Sequence, residues 1–188
     1  MNAPTTAPAL PVDAAPIEEF SHCHEGILKH LQELGSLPGL LEPAARARRI
    51  ACAALVFFRE AVFEHHAQEE SELFPAVLAS AAPGYEREQV KIIAQCLTRE
   101  HRRIEADWAA LEPALKKVAK GRDVLFDAQA IDRLIRAYHE HAEFEEQTFL
   151  PLCKTILGRN GDHMAALGLS LHMRHVLPQV LQRFASAL

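Results

Sequence analysis

The chain has 188 residues, 49 % hydrophobic and 24 % charged, with a formal net charge of −5. That length suits one domain whose core can hold a few costly polar groups. Charges of both signs are interspersed without a basic stripe, which argues against nucleic acid as a partner. No segment approaches the run of about 18 uncharged apolar residues that a membrane span needs.

The opening residues, 1–16, are rich in Ala and Pro, lack a basic start and carry no continuous apolar stretch, so they read as a disordered tail and not as a secretory signal. Helix formers dominate from there on, and Pro and Gly fall between apolar patterns. Helices are expected over 17–36, 44–80, 85–119, 125–158 and 162–186, joined at GSLPG, APG, KG and GRNG. Strand signals are absent. Short connections make neighbouring helices antiparallel, so the fold class is all-α: an up-down-up-down four-helix bundle over 17–160, with an additional C-terminal helix over 161–188 packed on it.

Apolar positions recur every three or four residues and mark one face of each bundle helix. The stripes run Ile17, Phe20, His24, Ile27, Leu28, Leu31; then Ile50, Ala54, Phe57, Ala61, His65, Glu69, Leu73; then Ile93, Leu97, His101, Ile104, Trp108, Leu111; and last Leu134, Tyr138, His141, Glu145, Phe149, Leu152. Each places a histidine on the face expected to be buried. The sequence also repeats: HHAQEESELFP from His65 aligns without a gap on HAEFEEQTFLP from His141, each His being followed by Glu four residues on and Pro ten residues on.

An ionised carboxylate on a core stripe costs several kcal/mol unless it is compensated, yet no Lys or Arg shares the stripes of Glu69 and Glu145. A His and a Glu four residues apart stand over each other on a helix, about 5–6 Å between Cβ atoms, so both can reach one centre. His24, His65, Glu69, His101, His141 and Glu145 together offer four imidazoles and two carboxylates. That exceeds the four ligands of a structural zinc site. It suits two metal ions bridged by the carboxylates with open coordination positions, of iron or, by the same donor chemistry, manganese or zinc.

The order lone His, H-x-x-x-E, lone His, H-x-x-x-E, met by His24, His65 with Glu69, His101, and His141 with Glu145, resembles the hemerythrin-like, or HHE cation-binding, domains. The resemblance covers about residues 17–158 and implies a four-helix bundle with a non-haem di-iron centre that binds or responds to dioxygen, peroxide, nitric oxide or iron. One departure stands out. Oxygen-carrying members have a second His one turn after the third-helix His, and an Asp ending the fourth-helix motif; here those positions hold Glu105 and Glu145. Three roles are open to Glu105: an extra ligand, a hydrogen-bond partner of iron-bound water, or a solvent-facing group.

His66 with Glu70 offers the same motif shifted by one residue. The alignment through the Pro favours His65, leaving His66 as a group beside the ligands. His139 with Glu143 repeats the spacing but lies about 160° around the helix from His141, in solvent. His22, His30, His163, His172 and His175 read as surface or packing residues, and Tyr138 and Trp108 as packing. Cys23, Cys52, Cys96 and Cys153 form no C-x-x-C pair, which points to buried thiols in a reducing, cytoplasmic compartment. The expected function is oxygen or small-molecule binding for sensing, storage or delivery. The alternatives are an enzyme handling peroxide or nitric oxide, and a regulatory module that metal only stabilises.

Overall fold

A computed structural model describes residues 15–159, with side chains from His24 onward. All regular structure among the described residues is helical: α1 Ala15–Phe57, α2 Phe63–Gln68, α3 Phe74–Ser80, α4 Tyr85–Ala119, α5 Ala128–Phe144 and α6 Leu150–Leu157. Five-residue π-helical turns at Phe58–Val62, Glu69–Leu73 and Glu145–Phe149 splice α1 to α2, α2 to α3 and α5 to α6. The described residues therefore form three continuous helical rods, 15–80, 85–119 and 128–157. None of these helices is long and apolar enough to cross a membrane. The helix expected over 162–186 lies outside the described residues.

The break expected between 36 and 44 is absent, because α1 runs on through Gly35, Pro38, Gly39 and Pro43. A proline removes only its own donor and crowds only the turn before it, while Leu37, Leu40, Leu41, Glu42, Ala44 and Ala45 around these two are strong helix formers. The other breaks match the punctuation. Gly84, at φ 96°, stands immediately before α4, a backbone conformation that glycine adopts without a Cβ penalty. Gly121, at φ 65°, lies just past its end. Asp127 caps α5 by accepting a hydrogen bond from the Ala130 N–H at 3.2 Å.

The chain divides into two compact units, residues 1–44 and 45–188. In the first, the described side chains from His24 to Ala44 are all exposed, Ile27, Leu28, Leu31, Leu34, Leu37, Leu40 and Leu41 among them. In the second, two apolar clusters form. One gathers Phe74, Val77, Val90, Ile93, Leu97, Phe149, Cys153, Ile156 and Leu157. The other gathers Ile104, Trp108, Leu111, Ala130, Leu134 and Ala137, with Phe58 and Phe63 against it, and Phe58 stacks on Trp108 at 3.8 Å between centroids. Along α4 the buried positions Val90, Ile93 and Leu97 belong to the first cluster and Ile104, Trp108 and Leu111 to the second, with buried His101 between them. Buried His66, Glu69, His141 and Glu145 interrupt the other two rods in the same way.

Candidate metal centre

The π turns govern which side chains reach this polar layer. An α-helix bonds each N–H to the carbonyl four residues back; in these turns the Phe63, Phe74 and Leu150 N–H groups reach Phe58, Glu69 and Glu145, five back. The extra residue moves the buried face on by one position. On the first rod the buried series accordingly runs from Ala61 and Val62 to His66, Glu69, Phe74 and Val77, with a five-residue step across the second turn. Two of the turns start on Glu69 and Glu145 and run up to Pro75 and Pro151. Those prolines cannot donate to Ser71 and Gln147, so the i−5 pattern arises where the i−4 bond is already lost.

His66, His101 and His141 are at most 1 % exposed, Glu69 is 5 % and Glu145 7 %. The His66 and His101 rings stack 4.0 Å apart with 4° between planes, and His141 meets His101 edge-on at 4.8 Å. Ligand atoms of His66, His101 and His141 lie within 4.8 Å of one another, and so do those of Glu69, His101, His141 and Glu145. His101 Nε2 is 3.3 Å from Glu69 Oε2, and His141 Nε2 is 3.7 Å from Glu145 Oε2. Neither contact is a hydrogen bond. Nε2 of His66, His101 and His141, Nδ1 of His65, Oε2 of Glu69 and Oε1 of Glu145 are all buried without a hydrogen-bond partner among the described residues.

Six such atoms in one layer are costly in a protein interior, where buried polar groups are normally satisfied. Imidazole nitrogens and carboxylate oxygens that converge on a common point fit a cation of the borderline transition-metal class.

The six sequence-derived candidates are placed differently. Glu69, His101, His141 and Glu145 converge. His65 stands beside them, its side chain 26 % exposed and its Nε2 3.5 Å from Glu69 Oε1, whereas neighbouring His66 points a bare Nε2 inward. His24 lies on the first unit and is exposed. Glu105 is not among the converging groups; its Oε1 lies 3.3 Å from His66 Nδ1 and it pairs with Arg102.

The outer nitrogens of the three buried rings each face a carboxylate. His101 Nδ1 is 2.8 Å from Glu70 Oε1, His141 Nδ1 is 3.1 Å from Glu100 Oε2, and His66 Nδ1 faces Glu105. Arg102 donates to both Glu70 and Glu105. Beside this ion-pair cluster lies a cavity of about 360 Å³ lined by Phe63, Ala67, Glu70, Ser71, Arg102 and Glu105. The spacing singled out Glu70 only as the partner of His66 in a shifted motif, and did not single out Glu100. Their signal is adjacency, since each directly neighbours an inward-facing group, Glu69 or His101.

A domain model, the hemerythrin HHE cation-binding domain, matches residues 15–153. The chain belongs to the hemerythrin family of HHE cation-binding domains. An uncharacterized protein of Haemophilus influenzae is 28 % identical over 158 residues, which cover 80 % of this chain and 88 % of that protein. No solved structure matches the chain. Cation binding, the property in the family's description, agrees with the unsatisfied donor layer of this HHE domain.

Burial also determines how the layer titrates. Glu69 is pushed up from 4.5 to about 7, first by burial and then by the Glu70 charge. Glu145 is pushed up to about 8, again by burial and then by the charge of Glu69. Burial lowers His65 to about 4 and His66 to about 2, with the neighbouring histidines adding to the effect. Burial opposes ionisation of Glu70 as well, but hydrogen bonds from His101 and Arg102 hold its carboxyl below the ordinary range. Cys153, inside an apolar cluster, is raised to about 12 by burial, as an inert structural thiol would be.

These shifts have opposite signs in stability. The raised glutamates bind more protons folded than unfolded, so their contribution is present at low pH and declines as pH rises from 4.5 through about 7–8. The lowered histidines bind fewer protons folded, so theirs is present above 6.5 and declines as pH falls below it. Above pH 6.5 only the glutamate effect remains. Metal-free protein should therefore lose melting temperature between pH 6.5 and pH 8, and iron should cancel most of that loss; a flat profile in thermal scans across this window would contradict the buried-carboxyl account.

Proposed function

We propose that the chain is a non-haem di-iron protein that binds dioxygen or a related small molecule, such as peroxide or nitric oxide, for sensing, storage or delivery in the cytoplasm. The observation that carries this reading is the buried layer of ring nitrogens and carboxylate oxygens that have no hydrogen-bond partner among the described residues. Neutral imidazoles outnumber the carboxylates, which leaves less negative charge on bound iron than an all-carboxylate site and favours retention of the ferrous state. Bound iron supplies open coordination positions and an exchangeable electron. Around it, His66, His101, His141, Glu69 and Glu145 hold the ions, His65 stands as a further donor against Glu69, and the two apolar clusters on either side keep bulk water out.

The same reading takes 17–36 as the fourth helix of the up-down-up-down bundle and His24 as a further ligand, which requires the chain to turn at Gly35–Pro43, where α1 is continuous in the described structure. The motif order supports it, and so do the exposed apolar positions Ile27, Leu28, Leu31 and Leu34, which mark a face suited to a packing partner. His24→Ala should then lower iron from two ions per chain; iron analysis that still finds two would remove His24 from the set. Oxygen binding itself is tested by absorption spectra of anaerobically reconstituted protein before and after admission of air. The reading expects new near-ultraviolet and visible bands of an oxygen-bridged di-iron chromophore, and unchanged spectra would count against it.

A further inference from the structure

Two of the outer carboxylates are exchanged between rods. Glu70, on the π turn of the first rod, reaches His101 on α4, while Glu105 on α4 reaches His66 on the first rod. Arg102, one residue from His101, donates Nη2–H to Glu70 and Nη1–H to Glu105, the latter at 3.1 and 3.2 Å. Both carboxylates thus meet one guanidinium, and both histidines belong to the stacked pair 4.0 Å apart. The third ring differs, because His141 Nδ1 faces Glu100, whose other oxygen accepts from the Cys96 thiol at 3.6 Å and which pairs with no arginine among the described residues.

A carboxylate ion-paired to a guanidinium is an acceptor only, so the imidazole nitrogen facing it must carry the proton. A neutral imidazole has one N–H and one lone pair. Placing the proton on Nδ1 leaves the lone pair on Nε2, the atom that is buried and unsatisfied in all three rings. Carboxylates in this outer position fix both the tautomer and the ring orientation of a ligating histidine.

We infer that Arg102 is a positioning residue that, through Glu70 and Glu105, locks His101 and His66 together in the Nδ1–H tautomer with Nε2 turned into the layer, while Glu100 does the same for His141 independently. This rests on the metal-centre reading for its purpose, though the tautomers themselves are a property of the metal-free chain. Arg102 is 56 % exposed and packs in neither apolar cluster, so its replacement removes the clamp without removing core.

The test uses the full-length, metal-free, nitrogen-15-labelled protein near pH 7.5, with ring tautomers read from long-range proton–nitrogen correlation spectra. The expected native pattern is Nδ1–H for His66, His101 and His141. Arg102→Ala should move His66 and His101 toward mixed tautomers and leave His141 unchanged; Arg102→Lys should restore part of the pattern. Glu100→Gln should move His141 alone. Zinc affinity, measured by competition with a chromophoric chelator, should fall roughly 10–100-fold in Arg102→Ala. Native rings in the Nε2–H form, an Arg102→Ala spectrum like the native one, or a His141 displaced as far as His66 and His101 would each overturn the inference. If the native chain takes up no metal while the tautomers follow the expected pattern, the metal-centre reading fails and the clamp stands. If metal is bound but Arg102→Ala keeps the native pattern, the clamp fails and the metal centre stands.

Discussion

Replacing both buried acids, Glu69→Gln with Glu145→Gln, should make the metal-free protein more stable at pH 8 and abolish the stabilisation that ferrous iron confers on the native chain. In the native protein both carboxyls are buried beside each other, at 5 % and 7 % exposure, and ionising them there is opposed by lost hydration. The move of Glu69 from 4.5 to about 7 corresponds to roughly 3 kcal/mol against the ionised form. Glutamine keeps the shape and removes the charge. Allowing for the desolvation of the amides, the double variant should gain roughly 5 °C in melting temperature without metal. Had these acids been retained for folding, their loss would destabilise the chain. Differential scanning calorimetry of the metal-free and iron-loaded forms distinguishes the two outcomes: a less stable variant that still gains on iron addition would show that the glutamates neither oppose folding nor hold the cation.

The second large effect is expected of His101→Ala. His101 is fully buried, stacks on His66 at 4.0 Å, meets His141 at 4.8 Å and has the Phe74 ring at 6.0 Å. Truncation leaves a cavity between the two apolar clusters and takes from Glu70 a hydrogen-bond partner. The metal-free protein should lose about 2–4 kcal/mol, read from denaturant unfolding. Metal affinity should fall by more than the roughly 10–100-fold expected of a residue acting through a ligand, because His101 belongs to both groups of converging donors. Retention of native affinity in His101→Ala would displace the centre of the layer to other residues.

Helical class and the polar layer were legible in the sequence because they depend on periodicity and on residue type. All six positions chosen on the third stripe, Ile93, Leu97, His101, Ile104, Trp108 and Leu111, are buried, since α4 keeps its α-helical register through them. The first rod is different. There the 3.6-residue period selected Ala61, which is buried, but also Phe57 and His65, which are only partly so; the π turn at Phe58–Val62 buries Val62 beside Ala61 and carries the inward face on to His66. The repeated Pro75 and Pro151 were the visible trace of such turns, each proline closing a stretch that starts at a buried Glu. The GSLPG segment misled in the other direction, because Gly and Pro mark breaks on average while Leu and Ala flanks can carry a helix through them. The outer ring of Glu70, Glu100, Glu105 and Arg102 has no period of its own, being assembled from positions next to inward-facing ones on different rods.

The central claim is that the buried layer exists to hold metal. Anaerobic titration of the metal-free full-length chain with ferrous iron, followed by calorimetry and by analysis of the gel-filtered product, addresses it most directly. The account predicts saturation at two ions per chain, with protons released from the raised carboxyls of Glu69 and Glu145 as the ions enter. Titration heats no larger than those of dilution, with iron left in the small-molecule fraction, would contradict it.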